Sequence, residues 1–269
     1  MNIPATVDIR NLCVMHRKSG YLLVDSLSLS ISHGSSLVIL GQSGCGKTMT
    51  CRAIIGLLDR NKFHVSGSIA FEGTDLLAMK RQERRALYGK EIAMIPQNPM
   101  TAFDPSMRIG AQMQETLLIH GVVARNRAKQ YIEEALRQAG LDDPRRVCHS
   151  YPYMMSGGML QRVLIAMASM TSPRLVVADE PTTALDVVHA DATVDSFKEI
   201  RKRGAAVLLV THDFSVASRM GGDLLVMKDG KLVEQGRTET LLTHPEQLYT
   251  KALLAACRLS SAHITEEVC

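Results

Sequence analysis

The eight residues from Gly41 to Thr48 carry the clearest chemical signal in this sequence: Gly-Gln-Ser-Gly-Cys-Gly-Lys-Thr. They fit G-x-x-x-x-G-K-[ST], the P-loop pattern, in which backbone N–H groups surround the phosphates of a nucleotide. Gly44 and Gly46 permit backbone conformations that a side chain would disfavour. Lys47 is expected to reach the β- and γ-phosphates, and the Thr48 hydroxyl to contact Mg²⁺. The predicted ATP-binding set is Gly41, Gln42, Ser43, Gly44, Cys45, Gly46, Lys47 and Thr48.

Two carboxylates follow a continuous apolar run of the kind that forms a buried strand in a parallel sheet. The run is Leu175 to Ala178, and Asp179 and Glu180 come directly after it. Ligands of open α/β sheets bind beyond the carboxyl ends of the strands. Asp179 therefore suits a water-mediated contact to Mg²⁺, and Glu180 suits orienting and deprotonating an attacking water. The pair predicts transfer of a phosphoryl group to water.

Two further polar residues follow apolar strands at the same predicted edge. His212 comes after the run 206–211, and Gln97 comes after the strand 92–95 and Pro96. Taken alone, a histidine in this position is more often structural, and a single glutamine is normally part of the polar surface. Whether His212 and Gln97 have a functional role depends on whether the fold brings them to the P-loop.

Ser156, followed by Gly157 and Gly158, is well suited to begin the apolar helix that continues through Val163 to Met170. Serine is a favoured N-cap residue, and the two glycines leave the helix start open to close approach. The spacing fits an ordinary helix cap and a second anion site equally well.

Two rings lie in the turn 16–21. His16 and Tyr21 are each able to stack on a nucleotide base or to pack against the neighbouring sheet. We assign base stacking to His16 in preference to Tyr21.

The periodicity of the apolar residues predicts an α/β fold. Alternating segments indicate antiparallel strands, continuous apolar runs indicate buried parallel strands, and Asp229-Gly230 is typical of a hairpin. The predicted strands are 7–14, 27–31, 36–40, 65–71, 92–95, 175–179, 206–211, 224–227 and 231–235. The predicted helices are 48–58, a charged helix before residue 92, a helical insert over 108–140, 163–170 and 247–256.

Composition excludes several classes of function. The chain has 269 residues, a hydrophobic fraction of 46% and a formal net charge of only +4, which gives no electrostatic case for binding nucleic acid. Its six cysteines lack C-x-x-C spacing, so neither a disulfide framework nor a structural zinc site is predicted, and a reducing cytoplasm fits best. Without a signal-like N-terminus or a run of eighteen apolar residues, we expect a chain that is neither secreted nor membrane-spanning by itself.

In order and spacing, these segments resemble the nucleotide-binding subunits of ABC transporters along nearly the whole chain. The corresponding motifs are Walker A at 41–48, the Q-loop at Gln97, the signature Ser156-Gly157-Gly158 with Met159, Walker B at 175–179 with Glu180, the D-loop at Asp186 and the switch histidine His212.

The resemblance implies a P-loop NTPase (RecA-like) α/β core with an antiparallel β subdomain and a helical ABC subdomain. The implied division is 1–97 for the first part of the core, 98–170 for the helical subdomain, 171–236 for the second part of the core and 237–269 for a helical tail. It implies an ATPase in which Glu180, His212 and Gln97 are catalytic. Thr48, Gln97 and Asp179 would contact Mg²⁺.

The resemblance also implies partners. ATP would lie between the P-loop of one subunit and Ser156, Gly157, Gly158 and Met159 of a second ABC ATPase subunit, either another copy or a paralogue. Two transmembrane permease subunits and a periplasmic or lipid-anchored substrate-binding protein would complete the transporter. The chain would lie at the cytoplasmic face of the inner membrane, attached through the permease, without nucleic acid.

Several segments are similar to the peptide and nickel import branch of this family. They are Met159 in place of the usual glutamine, 97–105, Tyr151-Pro152 and 244–250. The segment 155–162 and the short tail resemble the nickel and metallophore import subunits most. The resemblance therefore implies uptake of nickel or a nickel chelate, with a di- or oligopeptide importer as the alternative.

Two hypotheses that assign the chain to other functional classes are disfavoured. A soluble ABC ATPase outside transport tends to carry tandem cassettes, coiled-coil insertions or basic arms, and none is visible. A non-hydrolysing module would not need Glu180 and His212. The pattern Cys257, His263 and Cys269 is interpreted as incidental and not as a nickel site, because its spacing is unlike that of a compact metal site.

Overall fold

A computed structural model describes residues 5–183, 185 and 187–256. The expected D-loop residue Asp186 and the tail residues Cys257, His263 and Cys269 lie outside this part of the chain.

The strands and helices are numbered in chain order. The strands are β1 (Ala5–His16), β2 (Leu22–Ser32), β3 (Ser36–Leu40), β4 (Phe63–Phe71), β5 (Thr74–Asp75), β6 (Ile92–Ile95), β7 (Leu175–Asp179), β8 (Ala206–Thr211), β9 (Asp223–Lys228) and β10 (Lys231–Arg237). The helices are α1 (Lys47–Ile54), α2 (Arg81–Leu87), α3 (Ile109–Ile119), α4 (Arg125–Gln138), α5 (Pro144–His149), α6 (Gly157–Met170), α7 (Val187–Lys202), α8 (Phe214–Met220), α9 (Thr238–Thr243) and a last helix, α10, over 248–256. Short 3-10 turns occur at Pro99–Ala102 and Pro152–Met154.

Two sheets organise these elements. One is antiparallel, in the order β2-β1-β4-β5, and the other has the order β10-β9-β3-β8-β7-β6. In the second sheet β6, β7, β8, β3 and β9 pair in parallel, and β10 pairs with β9 in antiparallel orientation. Every residue of β3, β7 and β8 is buried, which explains their continuous apolar sequences. A mainly parallel sheet with a separate antiparallel sheet agrees with the α/β architecture expected from the sequence.

The alternation of side chains along β3 divides the interior into two cores. Leu37 and Ile39 belong to a core shared with the antiparallel sheet and α1, whereas Val38 and Leu40 belong to a core beneath α7 and α8. A third core is built entirely from residues between Phe103 and Met170, mainly from α3, α4 and α6. The predicted helical subdomain at 98–170 remains a proposal, and this separate core supports it.

Two helix boundaries differ from those that the periodicity of the apolar residues predicts. α1 ends at Ile54 and not at Leu58, because Gly56 takes a left-handed conformation with φ of +63° that terminates the helix. α6 begins at Gly157, before the apolar run, because the Ser156 side chain caps it. In the part of the chain that the structure describes, no helix combines the length and the apolar character needed to cross a membrane.

Phe197 on α7 should contribute strongly to stability. Its side chain is fully buried in the core beneath α7 and α8. We expect Phe197→Ala to lower the free energy of unfolding by about 3–5 kcal/mol, because the lost contacts leave a cavity. Urea denaturation measures the change. Leu57→Ala is the control, since Leu57 is 64% exposed and should change stability by less than about 0.5 kcal/mol; equal losses would contradict this assignment of the core.

Candidate nucleotide-binding and catalytic site

The P-loop connects the end of β3 to the start of α1 and is packed so closely that glycine is required. A Cβ on Gly41 would lie 2.5 Å from the Met227 carbonyl oxygen, and one on Gly46 would lie 2.5 Å from the Leu23 carbonyl oxygen. Gly46 also has φ of +106°. The strand β9 and the start of β2 therefore pack against the loop, which holds its N–H groups in place for a ligand.

Gly44 and Gly46 offer a matched test of this packing. Both have positive φ, at +84° and +106°, but a Cβ on Gly44 would meet no atom within 4 Å. Gly44→Ala should lower the free energy of unfolding by about 1–2 kcal/mol, the conformational cost alone. Gly46→Ala should lower the free energy of unfolding by about 1–3 kcal/mol more than Gly44→Ala does, because the loop must move away from Leu23. The same movement should weaken ATP binding. Urea denaturation and equilibrium ATP binding measure both effects, and equal losses would argue against the close packing.

Lys47 is buried at the base of the loop, with only 4% of its side chain exposed. Its Nζ donates to the carbonyl oxygens of Gly41 and Gln42 at 2.7 and 2.9 Å, and it lies 3.9 Å from Glu180 Oε1. The ammonium group therefore sits between the loop and the carboxylate at the end of β7. The cleft above it has a volume of about 300 Å³ and is lined by Leu23, Ser43, Gly44, Gly46, Lys47, Thr48, Met49, Gln97 and Glu180.

Thr48 and Asp179 come together although 131 positions separate them in the sequence. The Thr48 hydroxyl donates to Asp179 Oδ1 at 3.0 Å. Burial raises the pKa of Asp179, the Thr48 hydrogen bond opposes this shift, and the nearby Glu180 carboxylate raises the pKa further. A hydroxyl and a carboxylate side by side are the oxygen donors that Mg²⁺ prefers.

Glu180 is the point at which the polar groups of the site converge. Its Oε2 accepts hydrogen bonds from Gln97 Nε2 at 3.2 Å and from Thr183 Oγ1 at 3.1 Å, and it lies 3.3 Å from His212 Nδ1. Only 12% of the side chain is exposed. Its backbone has φ of +46°, an uncommon conformation for a non-glycine residue, and its N–H donates to the Val210 carbonyl oxygen. The carboxylate is thus held firmly at the edge of the cleft.

Ser156 lies at the start of α6, as the sequence predicts, and its hydroxyl accepts a hydrogen bond from the Met159 N–H at 3.3 Å. A Cβ on Gly157 would meet no atom within 4 Å, and one on Gly158 would lie 3.3 Å from a Leu185 methyl carbon. None of these residues lines the cleft at the P-loop. The single chain therefore does not bring its own signature segment to its own P-loop.

His16 ends β1 and does not line the cleft. Its ring packs edge-on against Phe63, with 5.7 Å between the ring centroids, and its Nδ1 lies 3.0 Å from the Ser19 hydroxyl oxygen. Tyr21 is 62% exposed. Stacking of His16 on the adenine stays a prediction.

Cys45 is buried within the P-loop. Burial raises the pKa of its thiol, and the nearby Lys47 charge only partly offsets this effect. The thiol is therefore neutral at physiological pH and acts as a packing group.

Three residues of the site, Thr183, Leu23 and Met49, were not identified from the sequence. Thr183 donates to Glu180 from the turn after β7, and its position three residues beyond the carboxylate was the available signal. Leu23 lines the cleft from β2 and supplies the carbonyl oxygen that faces Gly46. Its place depends on how the two sheets meet, which no local pattern shows.

Tyr249, on α10, lies behind the P-loop. The ammonium of Lys228 is 5.0 Å from the centre of its ring, and its hydroxyl is buried. Burial raises the pKa of Tyr249, and the backbone of Gln42 partly opposes the shift. Glu234 on β10 holds the beginning of this segment by accepting from the Glu246 N–H at 2.7 Å. The C-terminal helix thus packs on the side of the loop opposite the cleft.

Comparison with known proteins shows which family has this arrangement. The sequence model described as ABC transporter matches residues 24–183. The chain is 38% identical over 256 residues to the metal-staphylopine import system ATP-binding protein of Staphylococcus aureus, covering 95% of this chain and 94% of that protein. It is 37% identical over 253 residues to the dipeptide transport ATP-binding protein of Haemophilus influenzae, covering 93% of this chain and 77% of that protein.

Solved structures show the same fold. The dimeric post-hydrolysis structure of the ATP-binding cassette MJ0796 bound to ADP and Pi superimposes with a TM-score of 0.76, at 24% identity, over 86% of this chain and 98% of that one. The P-loop NTPase fold predicted from the sequence is thereby confirmed. The chain belongs to the ABC transporter family, as an ATPase subunit in the branch that includes the metal-staphylopine import and dipeptide transport ATP-binding proteins.

Proposed function

We propose that this chain hydrolyses ATP to power the import of nickel or a nickel chelate across the bacterial inner membrane. The observation that carries the ATPase mechanism is the convergence of Gln97, Thr183 and His212 on Glu180, beside Lys47. The metal substrate is supported by the similarity to a metal-staphylopine import subunit over nearly the full length of both chains.

The site residues are assigned roles from this geometry. ATP binds with its phosphates on the P-loop, where Lys47 stabilises the charge on the β- and γ-phosphates. Water attacks the γ-phosphorus, its proton passes to the Glu180 carboxylate, and the bond to the leaving ADP oxygen breaks. Gln97, Thr183 and His212 orient Glu180 through its Oε2. This proposal makes Glu180 the base and the other three residues its positioning partners.

The arrangement of Thr48 and Asp179 fits Mg²⁺. Their oxygens are 3.0 Å apart at the end of the cleft, and Gln97 lines the same cleft. When bound, Mg²⁺ supplies neutralisation of charge on the β- and γ-phosphate oxygens. Thr48 and Asp179 would hold the ion, with Gln97 as a third contact.

The position of the signature segment supports a second ATPase subunit. Ser156, Gly157, Gly158 and Met159 lie outside the cleft of their own chain, so a partner subunit is needed to bring such a segment to the nucleotide. Asp186 would contribute to that interface. We infer that two permease subunits, contacted by Gln97 and the loop to Pro105, and a periplasmic or lipid-anchored binding protein complete the importer. The chain would then lie at the cytoplasmic face of the inner membrane.

A di- or oligopeptide importer is the second candidate. The dipeptide transport protein of Haemophilus influenzae has nearly the same identity to this chain, 37% against 38%, although this chain covers a smaller share of it. The ATPase chemistry would be the same in both cases, since the permease and the binding protein select the substrate.

Uptake by cells with and without this gene separates the two substrates. Labelled nickel, supplied free and as a chelate, and a labelled dipeptide are followed in parallel. We expect loss of nickel uptake with unchanged dipeptide uptake, and restoration by the wild-type gene but not by a gene with Lys47→Ala. Loss of dipeptide uptake alone would reject the metal substrate and keep the ATPase mechanism.

A further inference from the structure

Arg84 on α2 is a buried cation for which the described part of the chain supplies no carboxylate. Only 7% of the residue is exposed. The one hydrogen bond of its guanidinium among the described residues runs from Nη1 to the Leu76 carbonyl oxygen at 3.5 Å, the outer limit for such a bond. A buried charge without a partner is costly, so proteins normally pair it. Arg84 therefore has unused capacity to bind an anion.

The groups around Arg84 share this unused capacity. A Cβ on Gly56 would lie 2.8 Å from both the guanidinium carbon of Arg84 and the hydroxyl of Tyr88, so these two groups are close neighbours. The Tyr88 hydroxyl is buried and finds no hydrogen-bond partner among the residues that the structure describes. Two buried groups with unused hydrogen-bond donors thus lie beside each other.

Arg84 borders two adjoining cavities that contain room for a ligand. The first, of about 230 Å³, is also lined by Arg17, Arg60 and His64, and its lining contains no acid from residues 5–183, 185 or 187–256. The second, of about 400 Å³, is bordered by Arg60, Arg81 and Arg84 and by one acid, Asp59, whose carboxylate accepts from the Asn61 N–H. A single water needs only about 10–15 Å³ by a comparable measure, so either cavity admits a small anion.

The basic cavities are separate from the nucleotide cleft. The two sites share no lining residue, because the P-loop lies at the beginning of α1 and the cavities lie beyond its end, at Gly56 and Leu58. An anion bound near Arg84 would therefore not occupy the position of the ATP phosphates.

We infer that Arg84, with Arg17 and Arg60 at the rim, forms a second anion site that binds a phosphate or carboxylate group of a small ligand. The guanidinium presents a planar set of N–H donors that matches either group. Phe63, Val65 and Leu77 form an apolar part of the wall of the first cavity.

Isothermal titration of inorganic phosphate, and separately of succinate, into the full chain tests this site. A saturating non-hydrolysable ATP analogue and Mg²⁺ fill the P-loop beforehand. We expect binding of at least one anion to the wild type, and an affinity about tenfold to hundredfold lower after Arg84→Met. Arg127→Met, an exposed position on α4, is the control and should bind as the wild type does. Binding of only phosphate or only succinate identifies which group the site takes.

Thermal unfolding separates an anion site from a purely structural arginine. If Arg84 is an unpaired buried charge, Arg84→Met without added anion should unfold at the same temperature or higher. A marked fall, with unchanged anion binding, would show that Arg84 only stabilises the fold through its contact with the Leu76 carbonyl oxygen and would overturn the inference. Absence of binding of both anions to the wild type would overturn the inference. Arg60→Gln, outside the core, provides a second variant and should weaken binding severalfold if the site is real.

Discussion

Lys47→Ala is expected to remove both ATP binding and hydrolysis. The Lys47 ammonium is the buried cation of the cleft, and it lies within hydrogen-bond distance of two P-loop carbonyl oxygens. Without it, the charge on the β- and γ-phosphates loses its main partner, and ATP affinity should fall by about tenfold to hundredfold. Hydrolysis should fall by at least about a hundredfold, because the negative charge on the phosphoryl group in the transition state also loses the cation that stabilises it.

Equilibrium binding of a fluorescent ATP analogue and steady-state phosphate release measure these two losses. Lys202→Ala is the matched control, because Lys202 is exposed and forms a surface ion pair with Glu199 on the same helix. Circular dichroism should show that Lys47→Ala keeps the fold. Normal ATP affinity in a folded Lys47→Ala variant would contradict the assigned role of this residue.

Glu180→Gln should separate binding from turnover. Glutamine has nearly the same shape and is able to keep a carbonyl oxygen near Gln97 and Thr183, so ATP binding should be retained. It cannot take a proton from water as a carboxylate does, and hydrolysis should fall by about a hundred- to ten-thousand-fold. Both quantities are measured on one preparation of the assembled complex, with Glu239→Gln, an exposed acid on α9, as the control.

Local sequence patterns were sufficient to predict most of the elements that position the site. The apolar runs of β3, β7 and β8 are continuous because both faces of these strands are buried, and their ends could therefore be placed at one edge of a sheet. That placement predicts Asp179, Glu180 and His212 at the same edge, where the structure has His212 Nδ1 3.3 Å from Glu180 Oε2. The hairpin of β9 and β10 followed equally from Asp229-Gly230.

The contacts that depend on tertiary packing could not be predicted. Thr183 belongs to the site because a turn after β7 directs its hydroxyl at Glu180, and Tyr249 reaches the back of the P-loop only after α10 folds over β10. The burial of Arg84 was missed for the same reason. Its segment is rich in charge, which is typical of a solvated helix face, and only the packing of α2 against Gly56 removes this one guanidinium from water.

The most direct test of the central claim measures ATP hydrolysis and substrate uptake together. The wild-type importer and its Glu180→Gln form are reconstituted in vesicles with labelled nickel chelate and the binding protein. The account predicts that phosphate release and uptake fall together in the variant while ATP remains bound. Uptake that continues at the wild-type rate after hydrolysis is lost, or hydrolysis that survives the substitution, would contradict the account.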